Sequence, residues 1–565
     1  MMGRSGIDNA CLWILAACAS AWPLPNIVYI LADDLGIGDV TGYNPASKVS
    51  TPSMDRILRE GMRFTDAHSG SSVCSPTRYG ILTGRYAWRT SLKSGVLGTL
   101  SPALIDADRL TVAGMLRQQG YKTAVVGKWH LGLDWKDPAD WGKGFSNGPT
   151  AHGFDYFYGI PASLDMSDYA YLENDRVVEA PTDSIAGSDW PAYWRAGHIA
   201  PRFRHVEVLP AMAEKAAAWV RAQHQSAPGQ PFFLYLALPA PHAPHVPGAA
   251  YLGKSAAGVR GDYVAATDGA IGRFRAALDS LGLTANTVLV LASDNGAHDR
   301  TYKQNGHTPH MGWKGQKADI YEAGHRIPFA VAWPGVVAAG SVATGTVCLT
   351  DFLATAAAIV SYRLPAAAGE DSYSLLPMLL GRSPAAPLRE ATVHHSSGGT
   401  FAIRQGPWKL TVDNLGSGGY TDPVTAAGLG TLYNLDSNAA ENAAQNRYAA
   451  RPVMVQNLRD LLAKYKAEGR SAPLPRRDEF WSGTTGARAA APGAARSEGL
   501  GKRFVFTAKA AGPYTARLSD MLGHTLWTGS GIAQKDGEIP FPADLRSGGR
   551  LAEVAGPGWR VGWRW

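Results

Sequence analysis

Two pairs of adjacent oxygen-bearing side chains each follow an apolar run that is typical of a buried strand. Asp33 and Asp34 form the first pair, and Asp294 and Asn295 form the second. Carboxylate and amide oxygens, with no thiol or imidazole among them, suit Ca²⁺ or Mg²⁺ rather than zinc. Carboxylates held close together also repel one another unless a cation lies between them. These four residues are therefore predicted metal ligands.

A cysteine begins the run CSPTRYGILTGR, which favours a short helix. Ser75 is a suitable N-cap, Pro76 suits the first helical position, and Gly84 is a natural stop. Cys74 would then lie at a helix N-terminus, where backbone N–H groups and the helix dipole favour a bound anion. Arg78 lies one turn into the helix and can point back toward Cys74.

Lysine and histidine residues occur in three further motifs. Lys128 and His130 lie in GKWHLG, His242 lies in APHAP, and Lys317 lies in GQKADIYEAG. Side chains of these types can stabilise an oxyanion and transfer protons. Each of these residues taken alone is more often a surface residue, so a functional role depends on the motifs that contain them.

Together these motifs resemble those of the type I, formylglycine-dependent sulfatases, an arylsulfatase-like family within the alkaline phosphatase superfamily. The resemblance covers roughly residues 25–480, and the motifs occur in the same order. Ala323 stands where the family usually has a glycine. His245 is an uncertain neighbour of His242, and Lys314 is the main rival of Lys317.

The resemblance implies that Cys74 is oxidised to formylglycine by a maturase and that its hydrate is both the nucleophile and a ligand of Ca²⁺. One hydroxyl would attack sulfur, and four side chains would offset charge on the sulfuryl oxygens: Arg78, Lys128, His242 and Lys317. His242, with Lys317, would protonate the leaving alcohol. His130 would remove the proton from the second hydroxyl, so that sulfate leaves and the aldehyde returns.

The elements that position these residues indicate an α/β fold, with a mostly parallel sheet sandwiched by helices. Predicted strands are Asn26–Ala32, Lys122–Val126, Phe232–Leu238 and Thr287–Ala292. Predicted helices are Ser53–Met62, Leu110–Gln119 and Asp262–Leu281. Ligands of such sheets bind outside the carboxyl ends of the strands. The polar residues that follow the four strands are therefore expected to converge at one edge.

Composition predicts five segments: a signal peptide at 1–21, a catalytic domain at 22–365, a smaller α+β subdomain at 366–482, a linker at 483–500 and a small β domain at 501–565. The subdomain is predicted from strands Thr400–Arg404 and Trp408–Val412 and helix Arg451–Glu468. The last segment is predicted as a β-sandwich-like tail from the runs Arg503–Ala508, Tyr514–Leu518, Thr525–Gly529 and Glu538–Phe541. It lies outside the family resemblance.

The N-terminus predicts export. An apolar run from Cys11 to Ala17 precedes small residues, as in a secretory signal peptide, so a periplasmic or secreted protein is expected. Leu15 to Cys18 also resembles a lipoprotein box, which leaves a lipid anchor on Cys18 as an alternative, and a misassigned start is a third. The run is too short to span a bilayer, and no other transmembrane span is predicted.

Cysteine use and charge exclude several classes. Two of the four cysteines lie in the leader, so the mature chain has too few for a disulfide framework. A bridge between Cys74 and Cys348 is the structural alternative to nucleophile chemistry. The formal net charge of +7 is modest, and no basic run interleaved with aromatic residues suggests nucleic acid. The oligomeric state is not predicted.

The predicted function is hydrolysis of sulfate monoesters by an exported sulfatase. A sulfated glycan is favoured over a smaller substrate because a leader and an extra β domain suit an extracellular polymer. Selectivity is expected in the loops Leu164–Asp175 and Tyr302–Gly312. Two alternatives stay open: a phosphonate or phosphate ester hydrolase on the same fold, and a non-catalytic glycan-binding protein in which Cys74 is unmodified.

Overall fold

The computed structural model describes residues 24–298, 305–382, 387–422 and 429–473, together with the backbone of the strands between 497 and 564. Residues 24–482 form one compact unit, and the strands from 497 onward belong to a second. The predicted signal peptide at 1–21 and residues 483–496 of the predicted linker lie outside the described residues. Among the described residues, no helix has the length and apolarity needed to cross a membrane.

The first unit is organised by a mixed, mostly parallel sheet, as predicted. Within the described residues it has ten strands, in the order Ser341–Ala343, Met62–Phe64, Phe329–Ala332, Thr287–Ser293, Asn26–Ala32, Phe232–Ala237, Lys122–Lys128, Tyr156–Ile160, Leu172–Glu173 and Arg176–Val177. The five strands from Thr287–Ser293 to Tyr156–Ile160 run parallel. Their carboxyl ends therefore lie at one edge.

Helices cover both faces of this sheet because its central strands are apolar throughout. Along Asn26–Ala32, Ile27 and Tyr29 pack in one hydrophobic cluster while Val28 and Ile30 pack in another. The α-helices of the unit are Pro52–Glu60, Cys74–Thr83, Val112–Gln118, His205–Ser226, Gly248–Tyr251, Gly258–Ser280, Glu322–His325, Phe352–Ile359, Leu376–Leu379 and Pro452–Ala467. The layered α/β architecture is confirmed.

The helices begin one to four residues away from their predicted starts. The long helix begins at Gly258 rather than Asp262. The cysteine helix begins at Cys74, after an extended Val73, and Ser75 is not its N-cap. The Ser75 hydroxyl instead accepts a hydrogen bond from the Leu97 N–H at 3.1 Å, so a neighbouring loop uses the oxygen that a cap would need. The predicted stop is correct, since Gly84 has a left-handed φ of 64°.

A smaller antiparallel sheet follows the main one. Its strands lie in the order Thr392–His395, Phe401–Gln405, Trp408–Thr411 and Thr431–Asn434. Apolar side chains of helix Pro452–Ala467 pack on this sheet. Short two-stranded pairings also occur: Ala67–His68 with Val347–Cys348, Asp134–Trp135 with Phe145–Ser146, and Asp183–Ile185 with Gly197–Ile199.

The second unit contains two antiparallel sheets among its described strands. One has the order Ser497–Leu500, Arg503–Thr507 and Glu538–Pro540; the other has the order Thr525–Ala533, Gly512–Ser519, Leu551–Gly556 and Trp559–Arg564. Ser497–Leu500 falls within the range predicted as a linker, but it is a strand that pairs with Arg503–Thr507 and so belongs to a sheet.

Candidate active site

The carboxyl edge of the main sheet brings the predicted site residues together. Parallel pairing places Ala32 beside Ser293, so Asp33 and Asp294 leave adjacent strands at the same level. The strand that ends at Lys128 and the loop that carries His242 reach the same edge. Every residue predicted to act in catalysis or to bind metal contributes to this one region.

Three buried cation–carboxylate pairs form the centre of the site, which we call the strand-end cluster. Its shortest contacts are Lys128 Nζ to Asp33 Oδ2 (2.6 Å), Arg78 Nη2 to Asp294 Oδ2 (2.8 Å) and Lys317 Nζ to Asp34 Oδ2 (2.9 Å). Arg78 also donates to the backbone carbonyl of Lys128 at 2.9 Å. The formal charges of these pairs cancel, so a divalent cation and a dianion can join the cluster together without leaving excess charge.

Neighbouring charges decide the protonation of the buried carboxylates. Burial alone would raise the pKa of Asp33, but Lys128 and the other cations hold that pKa well below its usual value. Burial, with the charge of Asp33, raises the pKa of Asp294 to about 6. Burial would lower the pKa of Lys317, yet Asp34 holds it well above its usual value. Asp33 is thus a carboxylate and Lys317 an ammonium at neutral pH.

The oxygen atoms of the site fit a hard divalent cation. Asn295 donates from Nδ2 to Asp34 Oδ1 at 2.7 Å and to the Gly296 carbonyl at 2.9 Å. Its Oδ1 is buried and accepts no hydrogen bond from the residues that the structure describes. Such an oxygen is costly to bury unless a ligand meets it. Asp34 has a φ of 63°, so its backbone is strained beside this atom.

Cys74 lies beside these carboxylates at the first residue of its helix. It is 1% exposed, and its Sγ is 3.5 Å from Asp33 Oδ1. Among the described residues, Cys74 and Cys348 are both free, so the alternative disulfide is not formed. Burial raises the pKa of the Cys74 thiol, which makes the unmodified side chain a poor nucleophile at neutral pH.

The two predicted imidazoles are held differently. His130 Nε2–H donates to the Leu97 carbonyl at 2.6 Å, while its Nδ1 is buried and bonded to none of the described residues. Burial, with the charges of Lys128 and Arg78, lowers the pKa of His130 well below its usual value. His242 Nδ1–H donates to the Ala243 carbonyl at 2.7 Å, which leaves Nε2 facing Asp34 Oδ2 at 3.8 Å.

The structure also gives the positions of Lys314, the rival of Lys317, and of His245, the neighbour of His242. Lys314 Nζ lies over the ring of Tyr321, 3.9 Å from its centroid, whereas Lys317 contacts Asp34. His245 is buried and lines the same cavity as His242, and burial lowers its pKa well below the usual value. Lys317 is therefore the lysine that reaches the site.

A cavity of about 640 Å³ opens onto the strand-end cluster. Predicted residues that line it are Asp34, Cys74, His130, His242 and Lys317. The other predicted residues are buried and do not line it: Asp33, Arg78, Lys128, Asp294 and Asn295. Asp33 contacts Cys74, and both Asp294 and Asn295 contact Asp34. The cavity can thus present an anion to buried cations while its outer part contacts the rest of a substrate.

Sequence reasoning missed much of the outer lining. Asp165 and Met166 line the cavity and fall within the loop predicted to control selectivity, Leu164–Asp175. Of the second predicted loop, the described part 305–312 does not line it. The missed residues include Arg195 and Arg260 and four aromatic side chains: Trp190, Tyr193, His298 and Tyr420. Of these, only His298, a few residues after Asn295, carried a positional signal that could have found it.

Comparison with known proteins agrees with this geometry. The family model for Sulfatase matches residues 25–362. The chain is 34% identical over 496 residues to N-acetylgalactosamine-6-O-sulfatase of Bacteroides thetaiotaomicron, covering 78% of this chain and 93% of that protein. It is 32% identical over 466 residues to human arylsulfatase A, covering 77% and 86%.

A solved structure from work on the metabolism of multiple glycosaminoglycans by Bacteroides thetaiotaomicron matches with a TM-score of 0.71 at 33% identity, covering 79% of this chain and 100% of that one. Fold, site and comparisons define a sulfuric ester hydrolase. The chain belongs to the sulfatase family.

Proposed function

We propose that this protein removes sulfate from a sulfated glycan at the cavity above the strand-end cluster. The observation that carries the proposal is the contact of one cavity with Cys74, with the imidazole of His242 and with the ammonium of Lys317. A glycan is favoured because the relative named N-acetylgalactosamine-6-O-sulfatase matches most of both chains. A sulfated hexosamine is therefore the first substrate to test.

The metal is proposed to be Ca²⁺, with Mg²⁺ as the alternative, held by the oxygen atoms of Asp33, Asp34, Asp294 and Asn295 and by the modified Cys74. The buried Asn295 Oδ1 without a hydrogen-bond donor supports this choice of ligands. The ion would supply positive charge next to the side chain of residue 74 and the bound sulfate. Arg78 keeps Asp294 ionised for this purpose, since its guanidinium lies 2.8 Å from the carboxylate.

Residue 74 is proposed to act as formylglycine made by a maturase. The hydrated aldehyde would supply a nucleophilic hydroxyl and a second hydroxyl whose deprotonation allows sulfate to leave. The raised pKa of the buried thiol supports this, because cysteine itself would be unreactive there. Lys128, Lys317 and Arg78 would hold the sulfate oxygens.

The hydrogen bonds of the imidazoles support opposite proton-transfer roles. His130 has Nε2–H tied to a carbonyl, so Nδ1 carries the lone pair and can accept a proton. Its lowered pKa keeps it neutral and ready to do so. His242 has Nδ1–H tied to a carbonyl, so Nε2 can carry a second proton toward the leaving alcohol. His130 is thus proposed as the base and His242, assisted by Lys317, as the acid.

The test is turnover by protein expressed with and without a formylglycine-generating maturase. Tryptic mass spectrometry measures the conversion of Cys74. The substrates are 4-nitrophenyl sulfate, a phenyl phosphonate ester and N-acetylgalactosamine 6-sulfate. Sulfate release should rise in proportion to converted Cys74. Faster cleavage of the phosphonate would favour the alternative hydrolase. A protein whose Cys74 stays unconverted in the presence of the maturase, and which turns over none of the substrates, would favour the non-catalytic glycan-binding alternative.

Export to the periplasm or the medium is part of the proposal, with a lipid anchor on Cys18 as its variant. It rests on the sequence of residues 1–21. Cell fractionation with N-terminal sequencing of the mature protein tests it. Recovery of the chain in the cytoplasm with Met1 intact would contradict export.

A further inference from the structure

Four aromatic side chains line one side of the cavity. Trp190 stacks on Tyr193, with centroids 5.5 Å apart and planes 8° apart, and on His298, at 5.3 Å and 15°. His298 meets Tyr420 edge to face at 5.4 Å. We call these four residues the aromatic wall. All four residues line the cavity, and aromatic side chains in such a position can pack against the apolar face of a pyranose ring.

An anionic side chain lines the same cavity. Asp165 is 4% exposed, and its Oδ2 lies 3.3 Å from Arg195 Nη1. Its Oδ1 is buried, accepts no hydrogen bond from the described part of the chain and lies 4.0 Å from His242 Nδ1. The carboxylate is therefore beside the imidazole that faces the leaving alcohol, with one oxygen available to a ligand.

Hydrogen bonds to the backbone carbonyls of Asp165 and Arg195 hold the loop around this carboxylate in place. Arg195 N–H donates to the Asp165 carbonyl at 3.1 Å. The Tyr169 hydroxyl contacts both segments, at 3.0 Å from the Asp165 carbonyl and 2.7 Å from the Arg195 carbonyl. Because these contacts fix the main chain, the Asp165 side chain is a pre-organised group rather than a mobile surface charge.

A carboxylate at this position has two consequences for a substrate. It accepts a strong, charge-assisted hydrogen bond from a neutral hydroxyl next to the sulfate ester. It also repels a second sulfate or a carboxylate placed there, and like charges held close together in a binding site cost several kcal/mol. Arg195 contacts Asp165 through Oδ2, so Oδ1 is the side of the carboxylate that has no cation at hydrogen-bond distance among the described residues.

We propose that Asp165 and the aromatic wall form a sugar-binding subsite that selects a pyranose with a free hydroxyl beside the sulfate ester and rejects a ring with a second anion there. The inference rests on the proposed sulfatase function. Asp165 is the residue that determines this specificity, and Arg195 positions it.

The first test needs no variant. Release of the 6-sulfate is measured from N-acetylgalactosamine 6-sulfate and from N-acetylgalactosamine 4,6-disulfate, with 4-nitrophenyl sulfate as a substrate without hydroxyls. The kcat/KM for the monosulfate should exceed that for the disulfate about 100-fold or more. Equal values for the two sugars would overturn the proposal.

The second test uses Asp165→Asn, with Asp189→Asn as the matched control. Asp189 is an exposed carboxylate in the segment that carries Trp190. Asp165→Asn should lower kcat/KM about 10- to 100-fold more for the monosulfate than for the aryl sulfate, and it should reduce discrimination against the disulfate. Asp189→Asn should change none of these. Loss confined to the aryl sulfate, or an unchanged ratio between the two sugars, would overturn the assignment.

The two proposals fail in different ways. If the wild type, with Cys74 converted, hydrolyses neither the aryl sulfate nor any sugar sulfate, the proposed function is wrong. If it hydrolyses the aryl sulfate and shows no preference between the two sugars, the proposed function stands and the role of Asp165 is wrong.

Discussion

The first unit contains two buried clusters of charge that look alike in composition and differ in use. The strand-end cluster pairs Asp33, Asp34 and Asp294 with Lys128, Lys317 and Arg78. The second, which we call the histidine cluster, comprises Asp66, Glu322, Glu441, Arg404 and Lys409 with the imidazoles His68, His325 and His394. Only the strand-end cluster opens onto the large cavity of the described structure.

The groups of the histidine cluster largely satisfy one another. Lys409 Nζ lies 3.1 Å from Glu322 and 2.9 Å from Glu441. His68 contacts Asp66 through Nε2 at 3.0 Å and His325 through Nδ1 at 2.9 Å. Removal of one partner from such a buried pair is strongly destabilising, because it leaves an unpaired buried charge.

Three clustered histidines suggest a metal site, yet their geometry argues against one. The rings of His325 and His394 stack with centroids 3.8 Å apart and planes 10° apart. Their lone pairs therefore lie in nearly parallel planes and do not converge on one ion. Lys409 Nζ lies 3.0 Å from His325 Nε2, so a cation is already present. The comparison teaches that an open cavity, rather than buried charge itself, distinguishes the reacting cluster.

The largest effect should come from the cysteine at the strand-end cluster. Cys74→Ala should lower sulfate ester hydrolysis about 10⁴-fold or more, because it removes the group from which the nucleophile is made. Cys348→Ala is the matched control, since Cys348 is the other buried free cysteine of the described residues. It should keep its activity. The measurement is the turnover number of each protein on 4-nitrophenyl sulfate. An active Cys74→Ala protein would contradict the assignment of Cys74 as the source of the nucleophile.

Removal of a charge from the histidine cluster should lower the stability of the fold rather than act directly on catalysis. Glu322→Gln should lower the free energy of unfolding by about 3 kcal/mol, because Lys409 loses one of its two buried carboxylates. Glu207→Gln changes an exposed carboxylate and should stay within about 0.5 kcal/mol. Urea titration gives both values. If folded Glu322→Gln protein had wild-type stability and no activity, the division between the clusters would be wrong.

A metal-binding measurement tests whether the strand-end cluster holds Ca²⁺ through Asn295. Asn295→Ala removes the buried amide oxygen that lacks a donor, so Ca²⁺ affinity should fall at least about 10-fold, with activity restored in part by excess Ca²⁺. Calorimetric titration of chelator-treated protein measures the affinity. Unchanged affinity, or full activity after exhaustive chelation, would exclude the proposed ligand.

The strand-end cluster was within reach of sequence reasoning, and the histidine cluster was not. Runs such as Asn26–Ala32 are apolar throughout, which identifies a buried parallel strand and thereby places Asp33 at the edge where the other strands also end. His68 and His325 lie far apart in sequence, and no periodicity indicates which loops meet. The loop that contains Asp165 was predicted to control selectivity, but nothing in the sequence indicates that Trp190, Tyr193 and Tyr420 meet it at the same cavity.

The histidine cluster should also make stability depend on pH. Burial lowers the pKa of His68, His325 and His394 below the ordinary value, so the folded protein keeps them neutral. The unfolded chain binds these protons as the pH falls through about 6.5. Unfolding then takes up protons, and the free energy of unfolding should decrease with falling pH, by at most about 1.4 kcal/mol per pH unit for each group.

A single variant tests this dependence. His394→Gln removes one group that is neutral when folded, so the slope of unfolding free energy against pH between 6.5 and 5 should become smaller than in the wild type. Urea titrations at several pH values provide the slope. Identical slopes in the two proteins would mean that His394 is protonated in the fold or does not contribute.

The smallest effect is expected from removing the second unit. Both charge clusters and the cavity belong to residues 24–482, and the strands from 497 onward form sheets of their own. A protein that ends at Gly483 should therefore hydrolyse 4-nitrophenyl sulfate within about twofold of the full chain, because units with separate cores fold separately. A polymeric sulfated glycan provides the contrast: if the second unit binds glycan, only turnover of the polymer should fall. An insoluble or inactive truncated protein would show instead that the strand-end cluster depends on residues 484–565.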